Sequence, residues 1–220
     1  MVLSRQIRQT LDIGLTQSGI DDFALVPQSA RDSLVKYVQL LAKWNRVYNL
    51  TAIRDPVAMV HRHLLDSLVL CRWLPRQAAG TDNADVIDVG SGAGLPVLPL
   101  SILRPDLAFV SIESNGKKIR FQRQVLVELA LENVDIRHQR VQDTQAKAEI
   151  VTSRAFTAPE EFLQIASPLC SLSGRIIIML THTDKLPEPL PAGFALQELV
   201  ALDIPGSKVP RHIAVCRRCP

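Results

Sequence analysis

The stretch Asp85-Val86-Ile87-Asp88-Val89-Gly90-Ser91-Gly92-Ala93-Gly94-Leu95-Pro96 constrains the fold of this chain more than any other. Val86, Ile87 and Val89 form a short β-branched run that reads as a buried parallel strand. Gly90, Gly92 and Gly94 follow at once, so three of the chain's ten glycines fall within five residues. A loop without Cβ atoms can turn sharply at positive φ and let a ligand lie against its main chain. Pro96 has the fixed φ that suits the first turn of a helix. Strand, glycine loop and helix N-terminus together predict a site for a nucleotide-type cofactor.

The 220 residues suffice for one α/β domain with a full core, or for such a domain with a small extension. No apolar run approaches the roughly 20 residues that span a bilayer, and Met1–Thr10 lacks the apolar centre of a secretory signal. The expectation is a cytoplasmic protein with no membrane partner. Four scattered cysteines are too few for a disulfide framework. Cys216 and Cys219 have CxxC spacing but no obvious further ligands, so they read as a frayed strand end and no metal is expected. The basic excess lies ahead of the glycine loop: residues 1–80 hold ten Lys/Arg against six Asp/Glu, while 81–180 hold ten against twelve. That bias suits a polyanionic partner and equally a solvated surface.

Residues 1–75 read as helical. Leu3, Ile7 and Leu11 predict a short amphipathic helix over 3–13, with Gly14 and Gly19 punctuating the segment after it. Leu34, Val38, Leu41, Trp44 and Tyr48 make one stripe of a helix from Gln28 to about Tyr48, opened by Ser29 and Asp32 in the manner of a capping box. Asp55-Pro56 marks the start of a third helix reaching about Trp73, with Val60, Leu64, Leu68 and Cys71 on one face. Residues 76–84 are linker-like. From 85 the period changes to strands alternating with helices, the mark of a parallel sheet. Strands are expected at 85–89, 107–112, 134–136, 149–151 and 174–180, with helices near 96–103, 117–131 and 159–170. Two last strands, 194–203 and 212–217, have too short a connection for a crossover and should pair as an antiparallel hairpin at the sheet edge. The division expected is a helical extension over 1–75 and a cofactor-binding domain over 76–220.

A dinucleotide fingerprint is G-x-G-x-x-G; here the third glycine comes one residue early and Leu95 occupies its place. Gly90-x-Gly92-x-Gly94 resembles instead the loop of S-adenosylmethionine-dependent methyltransferases. Glu113 lies 23 residues after Gly90 at the end of the second strand, near the interval of about 20 at which an acid takes the ribose hydroxyls. Asp88 is placed to orient the loop and the methionine amine, or to serve structure alone. The sequence lacks two common acceptor chemistries: no Asn/Asp-Pro-Pro-aromatic motif follows the fourth strand, and no cysteine nucleophile lies near it. A nitrogen with a free lone pair, such as guanine N7, needs no general base, only alignment and exclusion of water. Arg154 offers donors matched to the O6/N7 edge of guanine or to a phosphate. Lys117, Arg120 and Arg123 line one helix face as phosphate contacts or as a solvated face. His61 and His63 point to different faces of their helix; Asn49 and His63 are either core packing or cofactor-mouth contacts.

Trp44-Asn45-x-x-Tyr48-Asn49-Leu50-Thr51-Ala52-Ile53, His63-Leu-Leu-Asp66-Ser67, Asp88 to Pro96, and Ser153-Arg154-Ala155 together resemble the bacterial 16S rRNA guanine-N7 methyltransferase family, also called glucose-inhibited division protein B. The resemblance runs from about 28 to 217. It implies a Rossmann-like class I S-adenosylmethionine-dependent methyltransferase with a mostly parallel sheet, an antiparallel edge hairpin and an N-terminal helical extension. It also implies methyl transfer to guanine N7 at position 527, in the 530 loop of 16S rRNA, with naked rRNA or the 30S subunit as partner of a monomeric enzyme. By that resemblance Asp88, Gly90, Gly92, Gly94, Leu95, Glu113, Val141 and Gln142 hold the cofactor, Arg154 stands at the reacting centre, and Lys117, Arg120, Arg123 and His182 meet RNA. Three positions depart from the family's usual pattern. Glu113 replaces Asp, Gln142 replaces an acid, and Thr181-His182 stands where Lys-Gly closes the fifth strand. An RNA-binding protein that has lost catalysis, or a methyltransferase of small molecules, are the alternative readings.

Overall fold

A computed structural model describes residues 2–17, 26–78, 80, 83–154, 157–207 and 209–219. Three helical segments come first: α1 (Val2–Gln17), α2 (Gln28–Tyr48), and a run made of α3 (Pro56–Met59), a π turn (Val60–Leu65), α4 (Asp66–Leu68) and a 3₁₀ turn (Val69–Trp73). Then strands and helices alternate: β1 (Ala84–Val89), α5 (Val97–Leu103), β2 (Phe109–Glu113), α6 (Gly116–Leu129), β3 (Val134–His138), β4 (Ala148–Arg154), α7 (Pro159–Ala166) and β5 (Cys170–Leu180). The hairpin β6 (Phe194–Leu202) and β7 (Arg211–Arg218) closes the chain.

One seven-stranded sheet results, in the order β3-β2-β1-β4-β5-β7-β6, parallel except where β7 pairs antiparallel with both β5 and β6. The order reverses between β1 and β4, which opens a crevice at the carboxyl ends of those two strands. Alternation along each strand serves two cores. Val86, Phe109, Ile150, Ile177 and Ile213 face a cluster shared with the N-terminal helices, α5 and α6, while Ile87, Val110, Val151, Ile176 and Cys216 face α7. The helical segments of 1–75 and the sheet therefore bury one continuous apolar layer.

Several local expectations change. Gly14 does not end α1 but lies inside it, where Leu65 packs so close that a Cβ would sit 2.2 Å from its Cδ1. Gly19 lies outside the described residues. The Ser29–Asp32 capping box is not formed: Asp32 instead accepts from Arg8 and, at 3.2 Å, from Gln28 Nε2. Asp55 does cap its helix, its Oδ2 accepting from Ala58 N at 2.7 Å. Pro96 precedes α5 as its N-cap and is not its first helical residue. Cys216 is no frayed end, since it is buried within β7 opposite Ile176 and Leu196.

Candidate functional site

The glycine loop leaves the crevice end of β1 and is held from four sides. Gly90, Gly92 and Gly94 all take positive φ, at 69°, 60° and 79°. The Gly90 and Ser91 amides donate to Ile112 O at 2.9 and 3.2 Å, tying the loop to β2. Ser91 Oγ donates back to Asp88 O, and Ser91 O accepts from both Gly94 N and Leu95 N at 2.8 Å. Gln122 Nε2 of α6 donates to Gly92 O at 2.9 Å and is itself set by Ser111 Oγ on its Oε1 at 2.6 Å. From α2, the buried Tyr37 hydroxyl donates to Ala93 O at 2.9 Å. Burial among apolar side chains holds the Tyr37 phenol far above its usual pKa, so it stays a donor.

A ligand could rest against this loop. A Cβ on Gly92 would find nothing closer than 3.9 Å, whereas one on Gly94 would lie 2.3 Å from Leu98 Cδ1. Gly92 thus faces open space and Gly94 faces its own helix. Glu113 closes the second strand, buried, its Oε2 accepting from Gly92 N at 2.9 Å and its Oε1 from Asn115 N at 2.8 Å. Each oxygen keeps a further lone pair for a hydroxyl. Beside it a cavity of about 480 Å³ is lined by Val89, Gly90, Glu113, Lys118, Val141 and Gln142, among others. Asp88 stands under the loop, fully buried, and neither of its carboxylate oxygens makes a well-formed hydrogen bond, although the Ser91 hydroxyl and the Val97 amide lie near enough to ease its charge. Burial drives its pKa well above the ordinary carboxylate range, tempered by Ser91 and by Arg154. A buried, unmatched carboxylate is the complement of a cationic group.

Across the switch point Arg154 ends β4. Its Nη1 lies 3.2 Å from Asp66 Oδ2, 3.3 Å from His63 Nδ1 and 3.3 Å from Arg62 O. Asp66 is buried and accepts from Arg211 Nε at 2.7 Å on its other oxygen. His63 sits in the π turn, an irregularity often found at functional sites, with Nε2 2.7 Å from Thr51 Oγ1. Burial, then the Arg154 charge, pushes its pKa down to about 3, leaving the ring neutral. Asn45 holds the adjoining segment, its Nδ2 donating to Ile53 O and its Oδ1 accepting from Thr51 N. A second cavity, about 230 Å³, opens among these groups.

The expected residues divide between these two cavities. Gly90, Glu113, Val141 and Gln142 line the first, and Arg154 the second. Leu95 turns its side chain into the core, and only its main chain belongs to the loop. Lys117, Arg120 and Arg123 are exposed along α6, starting one residue from cavity-lining Lys118. His182 is exposed beyond β5, while its neighbour Thr181 lines the second cavity. Asn49 is exposed, capping α2 in the left-handed conformation. His61 turns away from His63, its Nδ1 lying 2.7 Å from Pro205 O. Ala155, in the expected Ser153-Arg154-Ala155 motif, lies outside the described residues. Sequence reasoning missed Tyr37, Gln122 and Arg211. A glutamine within the apolar face Ile119–Val125 was the one readable signal among them. Among the described residues no group of three or more His, Cys, Asp or Glu could hold a metal, and no helix is long and apolar enough to cross a membrane. A larger groove of about 750 Å³ lies at the amino ends of β1–β3, remote from the loop.

Comparison with known proteins gives the chain a family. A family model described as rRNA small subunit methyltransferase G matches residues 30–213. The chain is 37% identical over 220 residues to the ribosomal RNA small subunit methyltransferase G of Pseudomonas syringae pv. syringae (strain B728a), covering 99% of this chain and 98% of that protein. It is 40% identical over 203 residues to the protein of the same name from Alkalilimnicola ehrlichii, covering 89% and 88%. Among solved structures, precorrin-6y C5,15-methyltransferase from Geobacter metallireducens GS-15 superposes with a TM-score of 0.55 at 18% identity over 70% of this chain and 87% of that one, a likeness of fold alone. With its Rossmann-like methyltransferase sheet and these relatives, the chain belongs to the rRNA small subunit methyltransferase G family.

Proposed function

We propose that this protein transfers a methyl group from S-adenosylmethionine to N7 of one guanine of 16S rRNA. The observation that carries the reading is the open main chain at Gly92, flanked by the unmatched Asp88 carboxylate and by Glu113. These residues fit the cofactor: Asp88 is the counter-charge for its amine, Glu113 an acceptor for ribose hydroxyls, and Val141 and Gln142 the wall beside its base. When bound there, the cofactor supplies a methyl group activated on a cationic sulfur.

Guanine N7 carries a lone pair at neutral pH, so the chain needs to align and dehydrate the acceptor but not to deprotonate it. That lone pair must stay free for attack. Arg154 therefore donates to O6 of the guanine, or to a phosphate, and not to N7 itself. Neutral His63 agrees with a centre that moves no proton. Lys117, Arg120, Arg123 and His182 would meet RNA phosphates, and the helices of 1–75 form an extension of the 76–220 domain that helps grip the RNA. The enzyme would work as a monomer in the cytoplasm, on 16S rRNA or the 30S subunit.

The test is Arg154→Ala. Because Asp66 keeps Arg211, the variant should stay folded with cofactor affinity near wild type, while methylation of 30S subunits falls about 100-fold. Full activity in that variant would remove Arg154 from the reacting centre. Cofactor binding without rRNA methylation in the wild type, or activity on free metabolites alone, would overturn the assignment as a whole.

A further inference from the structure

All three polar contacts of Arg154 fall on a single nitrogen, Nη1. Among the described residues Nε and Nη2 make no hydrogen bond, so that edge is the one left to offer. What turns the guanidinium this way is Asp66, buried at 1% exposure and clamped on its other oxygen by Arg211. The pocket thus sets the guanidinium groups of Arg154 and Arg211 on one carboxylate, with a neutral imidazole beside them, the exposed Arg62 at its rim, and Ile53, Met179 and Leu180 as apolar wall.

Transfer to a neutral purine nitrogen changes the charge of the acceptor. The N7 lone pair forms the new N–C bond, the C–S bond breaks with its electron pair going to sulfur, and no proton moves. A positive charge leaves sulfur and arrives on the purine. The guanidinium groups of Arg154 and Arg211, left without Asp66, would oppose that arrival. We propose that Asp66 is the positioning and charge-setting residue of the acceptor pocket: it fixes Nη1 of Arg154 and offsets the arginine charge, so that the bound purine can become cationic. This rests on the reading of Arg154 above and deepens it.

The experiment compares wild type, Asp66→Asn and Asp66→Glu. Binding is measured to 30S subunits from cells with and without the gene, which differ in the N7 methyl group, alongside cofactor titration and single-turnover methylation. Asp66→Asn should lower methylation about 100-fold, keep the cofactor Kd within about 3-fold, and weaken binding of methylated subunits about 10-fold more than of unmethylated ones. Asp66→Glu keeps the charge and should retain more activity than Asp66→Asn despite its extra methylene. A purely structural role would make Glu at least as damaging and leave the binding ratio unmoved, and either result overturns the proposal. If Asp66→Asn does not fold, Arg211→Gln serves: removing one cation should shift the ratio toward methylated subunits, and an unchanged ratio refutes the idea. Loss of activity in Arg154→Ala with none in Asp66→Asn would overturn the role of Asp66 alone. Full activity in Arg154→Ala would overturn the reading beneath it.

Discussion

The last two glycines of the loop, Gly92 and Gly94, should respond differently to one added methyl group. Gly92 and Gly94 have similar backbones, at φ 60° and 79°, so alanine at either costs about 1–2 kcal/mol for left-handed conformation. Their surroundings then separate them. At Gly92 the new Cβ stays 3.9 Å from its nearest neighbours, Gly90 O and Lys118 Nζ, and adds no clash. At Gly94 it would overlap Leu98 Cδ1 at 2.3 Å and Cγ at 2.5 Å, forcing α5 away from the loop and adding about 1–3 kcal/mol of overpacking. At roughly 2–4 °C per kcal/mol for a chain of this size, Gly92→Ala should melt about 2–8 °C below wild type and Gly94→Ala clearly lower still. Binding should follow the other order of causes. The Gly92 methyl group occupies the space proposed for the ligand, so Gly92→Ala should weaken S-adenosylmethionine about 10-fold or more by calorimetry while remaining folded at 25 °C. An unchanged Kd in Gly92→Ala would show that the cofactor does not lie on this loop. Equal melting points for the two variants would refute the packing distinction.

Two further outcomes bear on the walls of the site. Tyr37→Phe removes the prop on Ala93 O and should cost about 1 kcal/mol of stability, with a several-fold rise in cofactor Kd and no loss of helix content by circular dichroism. His63 has its pKa pushed down to about 3 in the folded protein against about 6.5 when unfolded. Between those values the unfolded chain takes up the proton and the folded one does not, so stability falls with decreasing pH by at most about 1.4 kcal/mol per unit. Thermal melts from pH 7 to 4 should therefore decline more steeply in wild type than in His63→Asn, and parallel curves would show that His63 is not held neutral.

Sequence reading succeeded where structure is decided by neighbours in the chain. The β-branched run Val86, Ile87 and Val89 with strands and helices alternating after it, the glycine triplet, and the short link between β6 and β7 foretold the parallel sheet, the positive-φ loop and the antiparallel hairpin. It failed where a distant partner decides. Gly14 resembles a helix terminator until Leu65, more than fifty residues later, packs on it. Asp32 resembles half of a capping box, yet Arg8 of the preceding helix takes it. The same limit applied at the candidate site. Arg154 was readable at the end of β4, but Arg211 shares its carboxylate only because β7 lies beside β5. Tyr37 reads as one more member of an amphipathic helix, and only the folded chain brings its hydroxyl to Ala93.

The order of the last three strands bears on how the chain is made. β6 leaves the ribosome before β7, yet its sole neighbour in the sheet is β7, and β7 must first pair with β5. Until residues 211–218 have been synthesised, the nascent protein carries the bare edge of β5, with Ile176, Ile177 and Ile178 in its middle, and a following segment that has nothing to add to. An unpaired apolar edge invites association with other chains. A chain truncated between Leu202 and Arg211 should therefore be prone to association, whereas the presence of Arg211–Arg218 covers the β5 edge.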